Sequence, residues 1–115
     1  MTVSFEQLCE MALRLPGVEH GTSYGTPALK VAGKLMARLK EDGETIVLHA
    51  DWETREWLLA VLPEVFFFTE HYRNHPYMLA RLDKLDAESL PAHLERCWRQ
   101  VAPKRLLANY PNSAN

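Results

Sequence analysis

The sequence predicts an α+β domain: an antiparallel β-sheet of about five strands, with the N- and C-terminal helices packed on one face, in the order α-βββ-α-ββ-α. Three observations carry this reading. Short apolar runs in the first half are separated by Gly-Lys and Asp-Gly turns, as hairpins require. A run of hairpin-linked strands is antiparallel by default. Amphipathic segments stand at both ends of the chain, and their apolar stripes must cover one face of that sheet.

Ser4-Phe5-Glu6-Gln7 fits a capping box. The Ser hydroxyl accepts from a first-turn amide while Gln7 reaches back to the cap. Phe5, Leu8, Cys9, Ala12 and Leu13 follow at helical spacing, and Pro16-Gly17 stops the helix near Leu15. Residues 22–27, with Gly25 and Pro27, read as a turn-rich approach to a short strand from Ala28 to Val31. Ala32-Gly33-Lys34 is a tight connection, and Leu35 to Leu39 is the next strand. Its alternation sets Leu35, Ala37 and Leu39 on one face and Met36 and Arg38 on the other. Glu41-Asp42-Gly43 forms the second turn before a strand from Thr45 to His49.

Asp51 is placed to cap a helix from Trp52 to about Leu62, ended by Pro63. Of Trp52 and Trp57, one is expected in the core and the other partly exposed. Val65 to Phe68 and Tyr77 to Leu82 read as two arms of a hairpin, with residues 71–76 between them. Asp86 caps the last helix, whose buried stripe is Leu90, Leu94, Cys97, Trp98 and Val101, and Pro103 ends it.

A chain of 115 residues fits one domain, expected to span residues 1–107, with 108–115 a flexible C-terminal tail. No apolar run approaches the ~20 residues of a membrane helix, and the N-terminus has no basic segment leading into an apolar one. The expected location is therefore the cytoplasm, with no membrane partner. Cys9 and Cys97 fall on apolar helix faces, where a thiol acts as a small hydrophobe. Neither has a second ligand at metal-binding spacing, so no metal site and no cofactor are expected.

Net charge is −2, unevenly spread. Residues 1–70 hold six Lys/Arg against eleven Asp/Glu, and residues 71–115 hold seven against four. The C-terminal excess of cations suggests an anion-binding face on a near-neutral protein. The densest cluster of recognition side chains lies between Thr69 and Arg81 in T-E-H-Y-R-N-H-P-Y-M-L-A-R. Arg donates in pairs to phosphate or guanine, Asn can pair with adenine, and Tyr can stack on an unpaired base. The plainer reading is a solvated hairpin loop packed on the sheet edge. His71 and His75 are four apart, but Pro76 disfavours helix there, so they make a poor metal pair. Gly33-Lys34 joins two strands and lacks the Walker pattern. Ser23, Ser89 and Cys97 have no nucleophile elbow or partner motif.

Five segments together resemble the MmcQ/YjbR family: L-P-G-V-E at Leu15 to Glu19, V-A-G-K-L-M-A-R-L at Val31 to Leu39, F-F-F-T-E-H-Y at Phe66 to Tyr72, P-Y-M-L-A-R-L at Pro76 to Leu82, and C-W-R-Q-V-A-P-K-R-L at Cys97 to Leu106. The resemblance covers nearly the whole chain. It implies a small antiparallel α+β domain similar to the frataxin-like (CyaY-like) fold. It also implies DNA binding through strand–loop elements akin to a double wing. It supplies no catalytic residues. Iron binding by frataxin-like proteins uses an acidic helix ridge, whereas the first helix here offers only Glu6 and Glu10.

The resulting expectation is a non-enzymatic protein that binds DNA weakly and largely without sequence specificity. Its basic face would comprise Tyr72, Arg73, Asn74, His75, Tyr77, Arg81, Arg99, Lys104 and Arg105. Arg73, Arg81, Arg99, Lys104 and Arg105 would contact phosphates, and Tyr72 and Tyr77 would stack. The alternative is a protein-interaction or small-ligand module with no nucleic-acid role. A concave pocket lined by Tyr24, His71, Tyr72 and Trp98 would favour that alternative.

Overall fold

Ser4 starts the first helix, α1 (Phe5–Ala12), through a complete capping box: Gln7 N–H donates to Ser4 Oγ at 3.1 Å, and Ser4 N–H donates to Gln7 Oε1 at 2.9 Å. The computed structural model describes residues 2–108 and 110. After α1 come β1 (Val18–Ser23), β2 (Thr26–Val31), β3 (Lys34–Leu39) and β4 (Thr45–His49). Helix α2 (Trp52–Val61) precedes β5 (Phe66–Phe67) and β6 (Tyr77–Arg81), and helices α3 (Leu90–Val101) and α4 (Lys104–Ala108) complete the order. The strands form one antiparallel sheet in the order β1-β2-β3-β4-β6-β5.

The predicted class holds, with six strands rather than about five. Strand β1 is the addition. Its sequence, V-E-H-G-T-S, shows no apolar alternation because it is an edge strand with mostly solvated side chains. It pairs with β2 from Val18↔Val31 to Ser23↔Thr26, so the stretch read as a turn-rich approach is mostly strand. Only Tyr24 and Gly25 make the turn, with φ of 53° and 77°. Positive φ at both central residues is the twist that a two-residue hairpin needs.

The sheet has a covered face and an open face. Ile46, Leu48, Met78, Ala80 and Phe66 join Leu8 and Ala12 of α1 and Leu90, Leu94 and Trp98 of α3 in the main core. Trp98 is fully buried, and its indole N–H donates to Pro16 O at 2.7 Å. Burying that ring without this acceptor would leave a costly orphan donor. Val47, Leu79 and Tyr72, with Phe67 and Tyr77 beside them, form a smaller cluster on the other face.

A β-bulge in β3 decides what that open face presents. Leu29 pairs with Ala37 but Lys30 pairs with Leu35, leaving Met36 as the extra residue. Met36 and Ala37 therefore both enter the main core. The bulge moves Leu35 off the Ala37 side, contrary to simple alternation, and sets it on the open face with Arg38.

The C-terminal region also departs from expectation. Asp86 Oδ2 accepts from the N–H groups of Glu88 and Ser89, so it caps a turn, and α3 proper begins at Leu90. Pro103 ends α3 but starts α4, so Lys104 and Arg105 open a helix rather than trail one. Ala108 belongs to α4, and the Tyr110 ring packs 4.7 Å from Trp98. The rest of the expected tail, residue 109 and residues 111–115, lies outside the described residues. Trp52 and Trp57 are both about half exposed, at 50% and 53%, and neither is a core residue.

Candidate functional site

Arg55 builds the loop between β5 and β6. It is buried in α2 at 8% exposure, although it carries a full charge. Its Nη1 donates to the carbonyls of Tyr72, His75 and Tyr77 at 2.8, 3.1 and 3.1 Å, and its Nη2 donates to Arg73 O at 2.8 Å. Its guanidinium lies 4.7 Å from the ring centroids of both Trp52 and Phe68. Burial lowers its pKa, Glu56 opposes that shift, and Arg73 adds to it. Four carbonyl dipoles compensate the desolvated charge without a carboxylate. The chain from Tyr72 to Tyr77 is thereby wrapped around one side chain.

Arg38 does the corresponding work on the open face. It is 5% exposed. Its Nη2 donates to Tyr72 Oη at 3.3 Å and its Nη1 to Thr26 Oγ1 at 3.1 Å, while Thr26 Oγ1 donates to Ser23 O at 2.9 Å. One guanidinium thus ties the β1–β2 turn to the 70–76 loop. Burial opposes its charge, but Tyr72 and Glu41 outweigh that and leave its pKa above the ordinary value.

Between these two walls lies a concavity of about 400 Å³, lined by Ser23, Tyr24, Leu35, His71, Tyr72, His75 and Tyr77. That volume falls in the range of small-molecule sites. An adjoining lobe of about 280 Å³ shares Tyr24, His71 and Tyr72 and adds Arg38, Lys40 and Glu41. Tyr24 stands at the rim, 77% exposed, with its ring 5.0 Å from the Arg38 guanidinium carbon. His71 packs edge-on against Tyr72 at 4.7 Å and lies 6.3 Å from His75, centroid to centroid. Burial, then the neighbouring Tyr72 and Tyr24, raises the Tyr77 phenol pKa.

A concavity of about 420 Å³ at the far edge of the sheet is lined by Thr2, Gly43, Glu44, Phe67, Arg81 and Asp83 among others. Its lining mixes the apolar Val3, Phe67 and Leu82 with the acids Glu44 and Asp83. Its one arginine already lies over Phe67 at 4.3 Å and donates to Glu64 O at 3.3 Å. It gathers none of the histidines or tyrosines of the first site.

The residues singled out from sequence divide between two sides of the sheet. Tyr72, His75 and Tyr77 come together in the groove. Asn74 is exposed beside them. Arg73 is exposed but engaged by Glu70, which accepts from it at 2.8 and 3.2 Å; the contact raises the Arg73 pKa and lowers that of Glu70. Arg81 points to the open face, in register with Thr45. Arg99, Lys104 and Arg105 belong to the helix layer, across the sheet. Arg99 donates to Glu95 Oε2 at 3.0 Å and lies under Tyr110, and α4 sets Leu106 against Gly17 near β1. The five cations therefore do not form one face. Trp98, expected in the pocket, is a core residue.

Sequence reasoning missed Arg38 as a site residue, as well as Arg55 and the position of Leu35. An arginine amid apolar strand residues, in L-M-A-R-L, was the one available signal for Arg38. Among the described residues no group of three or more His, Cys, Asp or Glu is arranged to hold a metal. No helix among them is long and apolar enough to cross a membrane.

The fold and groove together define a small antiparallel α+β domain with one helix-covered face and one open face that carries the groove. The YjbR family model matches residues 13–100, and the chain belongs to that family. A crystal structure of the Deinococcus radiodurans protein DR2400, with a DUF419 domain, is similar in fold, with a TM-score of 0.72 at 20% identity. The match covers 96% of this chain and 83% of that one. No curated protein matches the chain.

Proposed function

We propose that this YjbR-family protein is a non-enzymatic, cytoplasmic binding module that takes a small, largely apolar or aromatic molecule in the groove between the β1–β2 turn and the 70–76 loop. The observation that carries this reading is the pair of buried arginines. Arg38 and Arg55 fix both walls of one concavity, and that concavity gathers three tyrosines and two histidines. Preorganised walls reduce the ordering that a ligand would otherwise have to offset. Tyr24 adds to the support. A tyrosine at φ 53° is an unfavoured choice for a turn, and its ring is held at the mouth of the groove.

The DNA-binding reading has less physical support. Two of its five cations already hold carboxylates, and the sheet separates the two groups. The experiment that tests the proposal is a thermal-shift screen of small aromatic and heteroaromatic compounds, repeated on Tyr77→Ala. Compounds that raise the midpoint of the wild type but not of the variant support the groove. A screen whose hits act equally on both proteins removes it.

A further inference from the structure

The groove has two lobes of different chemistry. The larger is walled by Leu35, Tyr72 and Tyr77, and the smaller holds Arg38 and Lys40. Resting on the binding reading above, we propose that the ligand is a flat aromatic anion: its ring lies in the tyrosine lobe and its carboxylate or phosphate faces Arg38 and Lys40.

The state of Arg38 supports this. The side chain is nine-tenths buried, yet its Nε has no acceptor. A guanidinium has five N–H donors and no acceptor capacity. Its hydrogen bonds go to Thr26 and Tyr72, and both acceptors are neutral hydroxyls. Its acidic neighbour is Glu41, 3.5 Å away and itself 61% exposed. A carboxylate so solvated neutralises a buried cation weakly. The lobe therefore holds a buried guanidinium whose acidic neighbour is largely solvated, with Lys40 beside it. An anion entering between Tyr24 and His71 would meet both cations. Tyr24 covers the guanidinium from the solvent side, so ring binding and access to the charge are coupled.

The test uses three probes: 2-naphthoate, 1-naphthyl phosphate and the neutral 2-naphthalenemethanol. Each is titrated into the full chain and followed by calorimetry and by ¹H–¹⁵N shifts. The two anions should bind at least about tenfold more tightly than the alcohol, as a charge-assisted hydrogen bond implies. Inorganic phosphate alone should bind weakly, since it lacks the ring. Lys40→Ala and Arg38→Met should each shrink the preference for the anions, and Lys40→Ala should leave the alcohol's affinity nearly unchanged. Because Arg38→Met removes a buried tie and can unfold the chain, Lys40→Ala carries the test by itself. Equal affinity for anions and alcohol, with shifts at Leu35 and Tyr77, overturns the anionic assignment and leaves the groove standing. No shift at those residues with any ring probe overturns both. A preference for carboxylate over phosphate, or the reverse, identifies which anion the lobe fits.

Discussion

Arg38 Nη2 donates to Tyr72 Oη across 34 positions of sequence, at 3.3 Å, beneath the groove. The bond joins a buried strand residue to a buried loop residue, and it is the direct link between the two walls. Tyr72→Phe removes the acceptor and keeps the ring. It should destabilise the fold by about 1–3 kcal/mol, because a charged donor is left unpaired in a buried place. Urea denaturation of the two proteins measures this.

Arg55 should matter more. Arg55→Lys keeps the charge but cannot reach four carbonyls with one ammonium. The expected loss is on the order of 3 kcal/mol, with the amides of residues 72–77 losing hydrogen-exchange protection before the rest of the sheet. Uniform loss of protection would place the role of Arg55 in the whole core instead.

Tyr24 should show the opposite balance. Tyr24→Asn puts a residue suited to positive φ ahead of Gly25. The unfolding midpoint should hold or rise, while binding of any groove ligand weakens. A variant that unfolds earlier would mean that the Tyr24–Arg38 contact outweighs the backbone strain.

His93 supplies a pH dependence. It is buried on α3 against Phe66, with Arg96 as its hydrogen-bond partner, and burial first and Arg96 second lower its pKa to about 4. The unfolded chain takes up this proton at about 6.5, so between those values the unfolded state binds more protons. Stability is then full above about pH 6.5 and falls as pH drops toward 4, by at most about 3 kcal/mol from this group. The carboxylates with lowered pKa values, Asp42 and Asp51 among them, lose their contribution at still lower pH. His93→Asn should flatten the upper part of the profile and leave the lower part. Denaturation midpoints at pH 7, 5.5 and 4.5 read the difference.

The α3 stripe and the Ser4 cap were legible because their signals are local: apolar residues at helical spacing, and a Ser three residues before a Gln. The β5–β6 hairpin was legible for the same reason, though its first arm shortens to two residues. Strand β1 was hidden because an edge strand needs no apolar alternation. The position of Leu35 was hidden because a one-residue bulge reverses the face of everything before it without leaving a mark in composition. The role of Arg55 was out of reach because its partners are backbone carbonyls, which carry no residue identity. The basic face failed as one surface because a count of charges along the chain ignores the sheet that divides them. Tyr72, His75 and Tyr77 were found, while the arginine beneath them was read only as one side of a strand.

The most direct test of the groove is a comparison of two ¹H–¹⁵N shift maps of the same protein, one with a small aromatic ligand and one with a short DNA duplex at low salt. The aromatic ligand should move Tyr24, Leu35 and residues 71–77 and leave α3 and α4 still, while the duplex produces only small, scattered shifts. A duplex that moves Arg99, Lys104 and Arg105 together with Arg73, while the aromatic ligand moves nothing, would contradict the groove and restore the nucleic-acid reading.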